Sequence, residues 1–497
     1  MQEVVGSESI ASRHRMFLVI YCCLLLSFIC VGCGGSKSVQ QSPPSELTAS
    51  LEVRQEPLPV VEPHSLEPFD VPKLADLDKE ANWIDRPVRD GIVLLRESQS
   101  KEKVLGSVES ALAISNNSAK SNDLILSALG RLPAEDEADY SARIDRHVHG
   151  DLGSTNPIMI STSAEFDVLG LTGFSLFSFG RDLEPFATSE SVETWQTSTD
   201  RMLDKVVLRD DLVWSDGKPI TAHDIAFTFM VIMDPRVPVP AVRSGTDQLR
   251  WVEAYDDQTL VFFHKEALAT NVWSINFPVL PKHIYEKTWE ADPTLKDSAE
   301  HVQLEQSPVC GGAYEIVERK RGQQIVLRRR ENWSTVQGKQ VREQPYFEEV
   351  RFRIIEDPNT TLLALKKGEI HEMILQPEQW TTQTVGKDFY ERNTKATAPE
   401  WVSYHFGWNI ETIFFRDRRV RRAMSYAFDH DEMLEELCYS LYDPCTGIFY
   451  PGAWMASTKK LDPYKQDLDK AEALLDEAGW IDSDNDGVRD KEIDGRT

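Results

Sequence analysis

The side chains that could do chemistry fall in a few short clusters. Asp482, Asp484, Asp486 and Asp490 stand at positions 1, 3, 5 and 9 of an EF-type loop, with Gly487 at position 6. Hard cations such as calcium want converging carboxylate oxygens at that spacing. Position 12 is Ile493 rather than Glu, so the usual bidentate ligand is lost or displaced to Glu492 or Asp494. The same residues also suit an acidic, solvated turn. Cys438 and Cys445 lie seven positions apart. A disulfide there would close a small loop worth about 2–3 kcal/mol on chain-entropy grounds; the other reading is a pair of small buried hydrophobes. The disulfide is the expectation, which leaves Cys310 as a buried free thiol. No catalytic set emerges beside these. There is no Gly-x-Ser-x-Gly elbow, no His-Glu-x-x-His and no P-loop. His371-Glu372 lacks a second His, and His147-x-His149 fits a strand with solvated imidazoles. With 81 acidic residues in the chain, carboxylate pairs arise by chance.

Composition narrows the function further. The chain has 497 residues, 41% of them hydrophobic, enough for roughly three domains. Lys and Arg total 54 against 81 acids, a net charge of −27. Such acidity argues against nucleic acid as a partner and against adhesion to anionic lipid through basic side chains. A single long apolar run excludes a multi-span transporter.

That run, Met16 to Val31, follows Arg13-His14-Arg15 and has the length of a signal-peptide core rather than a bilayer span. Cys30-Val31-Gly32-Cys33-Gly34-Gly35 comes next and resembles the lipobox of bacterial lipoproteins, although that family prefers Leu where Cys30 stands. The resemblance implies cleavage before Cys33 and lipidation of Cys33. Cys30-x-x-Cys33 also has redox-motif spacing, but it lies inside the signal core. Residues 1–32 are therefore read as a signal peptide. Residues 33–75, rich in Pro, Ser and Glu, read as a disordered tether, and 76–139 as a helical extension.

From about Tyr140, strand-like runs such as Val206–Arg209, Thr259–Phe263 and Ile325–Arg328 alternate with helical ones, giving a mixed α+β body. Ser215-Asp-Gly-Lys-Pro219 is turn chemistry. Thr221 and Asp224 form a near-capping box, and Ile225, Phe229 and Ile232 make the core stripe of the helix they open. Asp417 stands as an N-cap before Val420-Arg-Arg-Ala423.

Five blocks in order resemble the family-5 extracytoplasmic solute-binding proteins, the oligopeptide- and dipeptide-binding class of bacterial ABC importers. They are Gly150-Asp-Leu-Gly-Ser-Thr-Asn-Pro157; Leu208 to Phe227 around Trp214-Ser-Asp-Gly-Lys-Pro219; Pro308-Val-Cys-Gly-Gly-Ala-Tyr314; Val350 to Pro358 with Leu362 to Ile370; and Phe415 to Asp429 with Asp469 to Trp480. In register they span about two-thirds of the chain.

The resemblance implies a two-lobed α/β (mixed α+β) periplasmic-binding-protein-like fold with a smaller domain inserted in lobe one. Lobe one would be 140–180 and 282–377, the insert 181–281, and lobe two 378–497. The family continues past the Ala-Gly-Trp block, so lobe two is expected to be incomplete; a genuinely short variant would leave an open sheet edge in lobe one. Carried over, Asp151, Gly153 and Ser154 would meet ligand at the cleft floor, or else close a structural turn. Tyr404 and Trp408 would wall the ligand and Asn409 bond to it, from a strand lining the cleft. The implied function is capture of peptides or similar small solutes by a lipid-anchored monomer for an ABC permease, with no cofactor beyond a possible structural calcium. A ligand-binding sensor or scaffold, or a secreted enzyme, are the other readings.

Overall fold

A computed structural model describes residues 66–101 and 137–493, apart from 181, 398–401, 446, 450, 458, 460 and 461. The expected signal peptide, Cys33 and most of the expected tether lie outside the described residues. Among the described residues there are fourteen strands: β1 Trp83–Asp85, β2 Val88–Arg89, β3 Arg143–Val148, β4 Phe177–Phe179, β5 Pro185–Thr188, β6 Val192–Ser198, β7 Leu203–Leu208, β8 Leu249–Ala254, β9 Thr259–His264, β10 Tyr314–Lys320, β11 Gln324–Arg329, β12 Thr335–Val336, β13 Lys339–Gln340 and β14 Glu349–Ile354. The helices that matter below are α1 Leu74–Glu80, α2 Gly91–Lys101, α3 Ser163–Thr172, α4 Ala222–Met233, α5 Lys282–Thr288, α6 Ala299–Gln306, α7 Pro358–Lys367, α8 Arg418–Ala427 and α9 Leu468–Glu477.

One sheet has the order β1-β6-β7-β9-β8 and is antiparallel throughout. Its inner strand β9, between β7 and β8, is buried from Leu260 to His264, with no inside–outside alternation. Such a run requires cover on both faces. Helix α4 supplies one cover, with Ile225, Phe229 and Ile232 fully buried in the stripe the sequence predicts. Thr221 and Asp224 form the capping box. The other cover comes from the segment expected to be tether and helical extension. Phe69 packs on Phe263 at 4.9 Å and on Trp251 at 5.9 Å, and Leu77 of α1 closes the same cluster. The Tyr255 hydroxyl donates to the Pro72 carbonyl at 2.8 Å. Past α1 the described part of the extension adds two short strands, β1 paired with β6 and β2 with β5, before it returns to helix in α2.

A second sheet, β10-β11-β14-β3, closes with a parallel pair, β3 on β14. Chain segments just over two hundred residues apart thus lie side by side. Below this sheet, Val168 of α3 packs with Ile325, Leu327 and Phe352.

The two sheets are joined by the Pro308–Tyr314 block. The Gly311 and Gly312 N–H groups both donate to the Thr172 carbonyl, at 3.0 and 2.8 Å. A Cβ on Gly312 would lie 2.6 Å from the Leu171 carbonyl oxygen, so the backbones meet there only because glycine lacks one. Arg330, 2% exposed, donates to the carbonyls of Cys310 (3.1 Å), Gly312 (2.7 Å) and Val213 (2.6 Å). Burial lowers its pKa to about 10. Cys310 is the buried free thiol expected, and burial pushes it up to about 11.

Gly312→Ala should therefore cost about 1–3 kcal/mol, the usual cost of overpacking. Chemical denaturation would read this as a lower midpoint at unchanged slope; an unchanged midpoint would show that the backbone contact is not tight.

Candidate functional site

The loop 151–155, where ligand contacts are expected, is built around two acids that the sequence reading did not single out. Glu165 stands at the third position of α3 and forms a capping box with Thr162. It is 3% exposed, yet its carboxylate accepts four backbone N–H groups: Gly153 at 2.8 Å, Ser154 at 2.9 Å, Ser161 at 2.6 Å and Thr162 at 2.8 Å. Burial alone would raise its pKa, but these donors overcome burial and hold it below the ordinary glutamate value. Gly153 is needed here because a Cβ would sit 3.0 Å from the Glu165 oxygen.

Glu305, at the end of α6, holds the other side of the loop. It accepts the Ser154 hydroxyl and the Thr155 N–H, the latter at 2.8 Å. Arg319, its side chain 1% exposed, donates to Glu305 at 3.2 Å and to the Leu152 carbonyl. Asp151 accepts Leu152 N–H and Gly322 N–H, each at 2.8 Å, and lies 4.0 Å from Arg319. The Gly153 and Ser154 donors are thus committed inside the protein. The Asp151 side chain stays partly open to solvent, 28% exposed.

Helix α6 is itself set by a buried trio. His301 Nδ1 lies 2.7 Å from Asp292, and its Nε2 lies 2.7 Å from the Thr288 hydroxyl. Asp292 also accepts the Asp297 and Ser298 N–H groups at 2.9 and 2.7 Å. Burial raises the Asp292 pKa, but the Thr294, Ser298 and His301 bonds more than offset it, so the carboxylate stays well below its ordinary range.

The aromatic candidates lie elsewhere. Tyr404 is 79% exposed, and Trp408 is half-buried with Phe415 at 4.5 Å and Phe406 at 6.3 Å. Asn409 closes a turn, accepting the Glu411 N–H at 3.0 Å. The expected cleft strand does not form. Val402, Tyr404, Phe406 and Trp408 alternate with small or polar residues, the pattern of a half-buried strand, but no described strand pairs with them. Among the described residues no hydrogen bond or ring contact joins them to loop 151–155. Tyr404, Phe406, Ile410, Ile413 and Phe414 leave a broad apolar surface. Asp417 does cap α8, and its Arg419 partner lowers it to about 2.

The expected disulfide is not present: Cys438 and Cys445 are both free thiols. Cys438 ends the wide turn Met433–Leu437, its N–H bonded to the Met433 carbonyl at 3.1 Å. The left-handed pair Tyr439 and Ser440 folds the chain back on that turn, with Ser440 N–H on the Leu434 carbonyl at 2.8 Å. Cys445 is exposed and bonded to the Gly447 carbonyl. Of the acidic loop, Asp482, Asp484 and Asp486 bring carboxylate oxygens within 4.8 Å of one another. Asp490 instead accepts the Ser483 hydroxyl at 2.8 Å. His371 and Glu372 are structural too: His371 Nδ1 accepts the Asp145 N–H at 2.8 Å and Glu372 pairs with Arg146.

The described residues form an antiparallel sheet and a second sheet closed by a parallel strand from far along the chain, and no described helix is long and apolar enough to cross a membrane. Solved structures share this fold. AppA from Bacillus subtilis in complex with a nonapeptide superposes with a TM-score of 0.59 at 21% identity, over 71% of this chain and 67% of that one. NikZ from Campylobacter jejuni in complex with Ni(L-His) gives 0.53 at 21%, over 72% and 66%. These are two-lobed periplasmic binding proteins. Residues 188–495 match the family model for bacterial extracellular solute-binding proteins, family 5 (middle), and the chain belongs to that family. It is 26% identical over 299 residues to the oligopeptide-binding protein AppA of Bacillus subtilis, covering 58% of this chain and 50% of the relative. It is 29% identical over 310 residues to the uncharacterized protein YejA of Escherichia coli, covering 54% and 48%. The chain thus spans about half the length of the curated relatives it matches. The family is one of extracellular solute-binding proteins.

Glu165→Gln should destabilise the protein by about 1–3 kcal/mol at neutral pH, because a buried acceptor weakens while its donors remain. The folded-state pKa is depressed, so the stabilisation is complete above the unfolded glutamate value of about 4.3 and is lost as pH falls through the folded value. Denaturation midpoints of the two proteins should converge in acid; a constant gap would show that Glu165 ionisation contributes nothing.

Proposed function

We propose that this protein captures a peptide between two lobes, outside the cytoplasm, and delivers it to an ABC permease. The observation that carries this reading is the family match across 188–495, together with the likeness to AppA, a protein described with a nonapeptide bound. Capture would follow the hinge closure general to two-lobed binders. Asp151, with its partly open carboxylate, and the exposed Tyr404 with Trp408 and Asn409 are the contacts in this reading, brought to the ligand on closure. The rigid Glu165–Glu305 frame would give the first lobe a fixed wall. A peptide should raise the melting temperature of the protein, since a ligand that binds only the native state stabilises it by about 2.7 kcal/mol at a hundred times its Kd. Di- to nonapeptides are set against Ni(L-His) as the competing solute. A shift with Ni(L-His) alone would move the assignment to metal chelates, and no shift with either would remove the peptide reading.

Tyr404→Ala should weaken peptide binding by about tenfold, as for a truncated aromatic anchor, at unchanged melting temperature of the free protein. Equal affinity would exclude Tyr404 from the contact.

The lipid anchor belongs to the same proposal: Cys33 carries the diacylglyceryl group, and metabolic labelling with palmitate should be lost in Cys33→Ala. Asp482, Asp484 and Asp486 are the oxygen donors for a structural calcium in this reading, with Asp490 contributing only if it leaves Ser483. Calorimetric titration with calcium that Asp484→Asn abolishes would support this; no heat with the unaltered protein would leave an acidic turn.

A further inference from the structure

Helices α8 and α9 pack on each other through Ala423, Ala471 and Leu474, a small core of their own. The chain between them returns to the main body at Trp454. The Trp454 N–H donates to the Asp182 carbonyl at 2.9 Å, and its indole Nε1–H donates to the Leu183 carbonyl at 3.0 Å. The indole and its acceptor stand 271 residues apart in sequence.

The docking point is the turn between β4 and β5, and it is firmly held. The two strands pair antiparallel, Phe177 opposite Ala187 and Phe179 opposite Pro185. Phe177, Phe186 and Ala187 are buried, and Phe179 is stacked on Trp273 at 4.2 Å. Within the turn the Gly180 N–H donates to the Glu184 carbonyl at 2.8 Å, and the Leu183 N–H to the Gly180 carbonyl at 2.9 Å. Leu183 has a left-handed backbone, φ +64°, which costs energy for a residue with a Cβ. Its side chain is buried, so packing fixes it there. Such strain persists where the surroundings over-determine it, and it collects at contacts that serve a purpose. Here two successive carbonyls of the strained turn meet the two donors of one tryptophan.

The other side of the contact is slight. Ala453 is buried, but Pro451, Gly452 and Ser457 are exposed, and Trp454 itself is 40% exposed. Two neutral hydrogen bonds and a part-covered indole belong at the low-stability end of a native structure, where local opening is frequent. A firm socket thus holds a lightly built plug.

We propose that Trp454 is a releasable latch. Docked on Asp182 and Leu183, it holds the α8–α9 part against the β4–β5 turn; released, it frees that part to swing from the main body. The proposal rests on the two-lobed reading above, but not on which solute is captured. In hinge closure the docked form is the closed one, so the latch favours closure independently of the contacts a solute makes.

Amide hydrogen exchange of the full chain, without solute, reads the latch. In the unaltered protein the Trp454 amide is expected to exchange at least about a hundredfold faster than the amides of the β7–β9 ladder, because it opens locally rather than with global unfolding. Trp454→Phe keeps the backbone N–H and an aromatic ring but lacks the Nε1–H. Exchange at position 454 should then rise by a further factor of about five, the worth of one hydrogen bond, at unchanged melting temperature. Small-angle scattering of Trp454→Ala should give a larger radius of gyration than the unaltered protein. Exchange at 454 as slow as in the ladder would show a permanent contact and overturn the proposal. So would equal exchange in the Phe variant, or a rise matched by a lower melting temperature, which would make Trp454 a packing residue. An unchanged radius in the Ala variant would show a strap that frays alone, and would overturn it too. The expected exchange and radius in a protein that binds no peptide would support the latch and remove the peptide reading alone.

Discussion

Two carboxylates, the buried Glu165 and the half-buried Glu305, set the geometry of loop 151–155. Among the described residues no cation pairs with Glu165; its charge is balanced by four backbone N–H groups, two from the loop and two from the start of α3. A helix N-terminus favours negative charge for the same reason, its first amides having no partner of their own. Glu305 works differently, through a cation, Arg319, which in turn takes the Leu152 carbonyl. The loop between them therefore has its donors and an acceptor matched to fixed charges. Behind Glu305 stands the Asp292–His301–Thr288 trio, so a residue near 290 fixes a loop near 153 through one short helix. Removing either acid would leave buried amides unmatched, which costs more than the net worth of a single bond.

The junction between the sheets follows the same logic with the opposite sign. Arg330 gathers three carbonyl oxygens with no carboxylate bonded to it. Five planar donors suit an arginine to that task where a lysine would not reach. The glycine pair beside it lets the backbones approach until their own amides and carbonyls meet. Packing alone would permit the two sheets to slide; these directional contacts fix one arrangement.

Much of this was legible in the sequence, and the reasons are local. The Thr221–Asp224 box, the α4 stripe and the Asp417 cap are short-range patterns that need only their neighbours to form. The family blocks carried the fold because their turns and glycines answer close contacts, as at Gly312. What depended on distant partners was not legible. Gly153 and Ser154 read as ligand donors because the sequence does not show Glu165 and Glu305 arriving to take them. Residues 402–409 alternate as a strand should, but alternation cannot supply a neighbour. The pair Cys438 and Cys445 has a plausible loop length, yet the turn at Tyr439–Ser440 decides where each thiol faces. Residues 66–89 are poor in long apolar runs, and their few large side chains find their places on a sheet whose strands come a hundred residues later.

That last feature changes where the folded body begins. The segment looks like spacer, and a protease or a protein engineer trimming spacer would cut as far as residue 82 or so. The cut would remove the cover of Phe69 and Leu77 from Val261 and Phe263, and further trimming would strip β1 from β6. A bare aromatic face next to a freshly opened strand edge is the usual starting point for self-association. The residues from Leu66 onward thus belong to the folded body, and solubility on storage, rather than any loss of binding, would be the earliest sign that a cut had entered it.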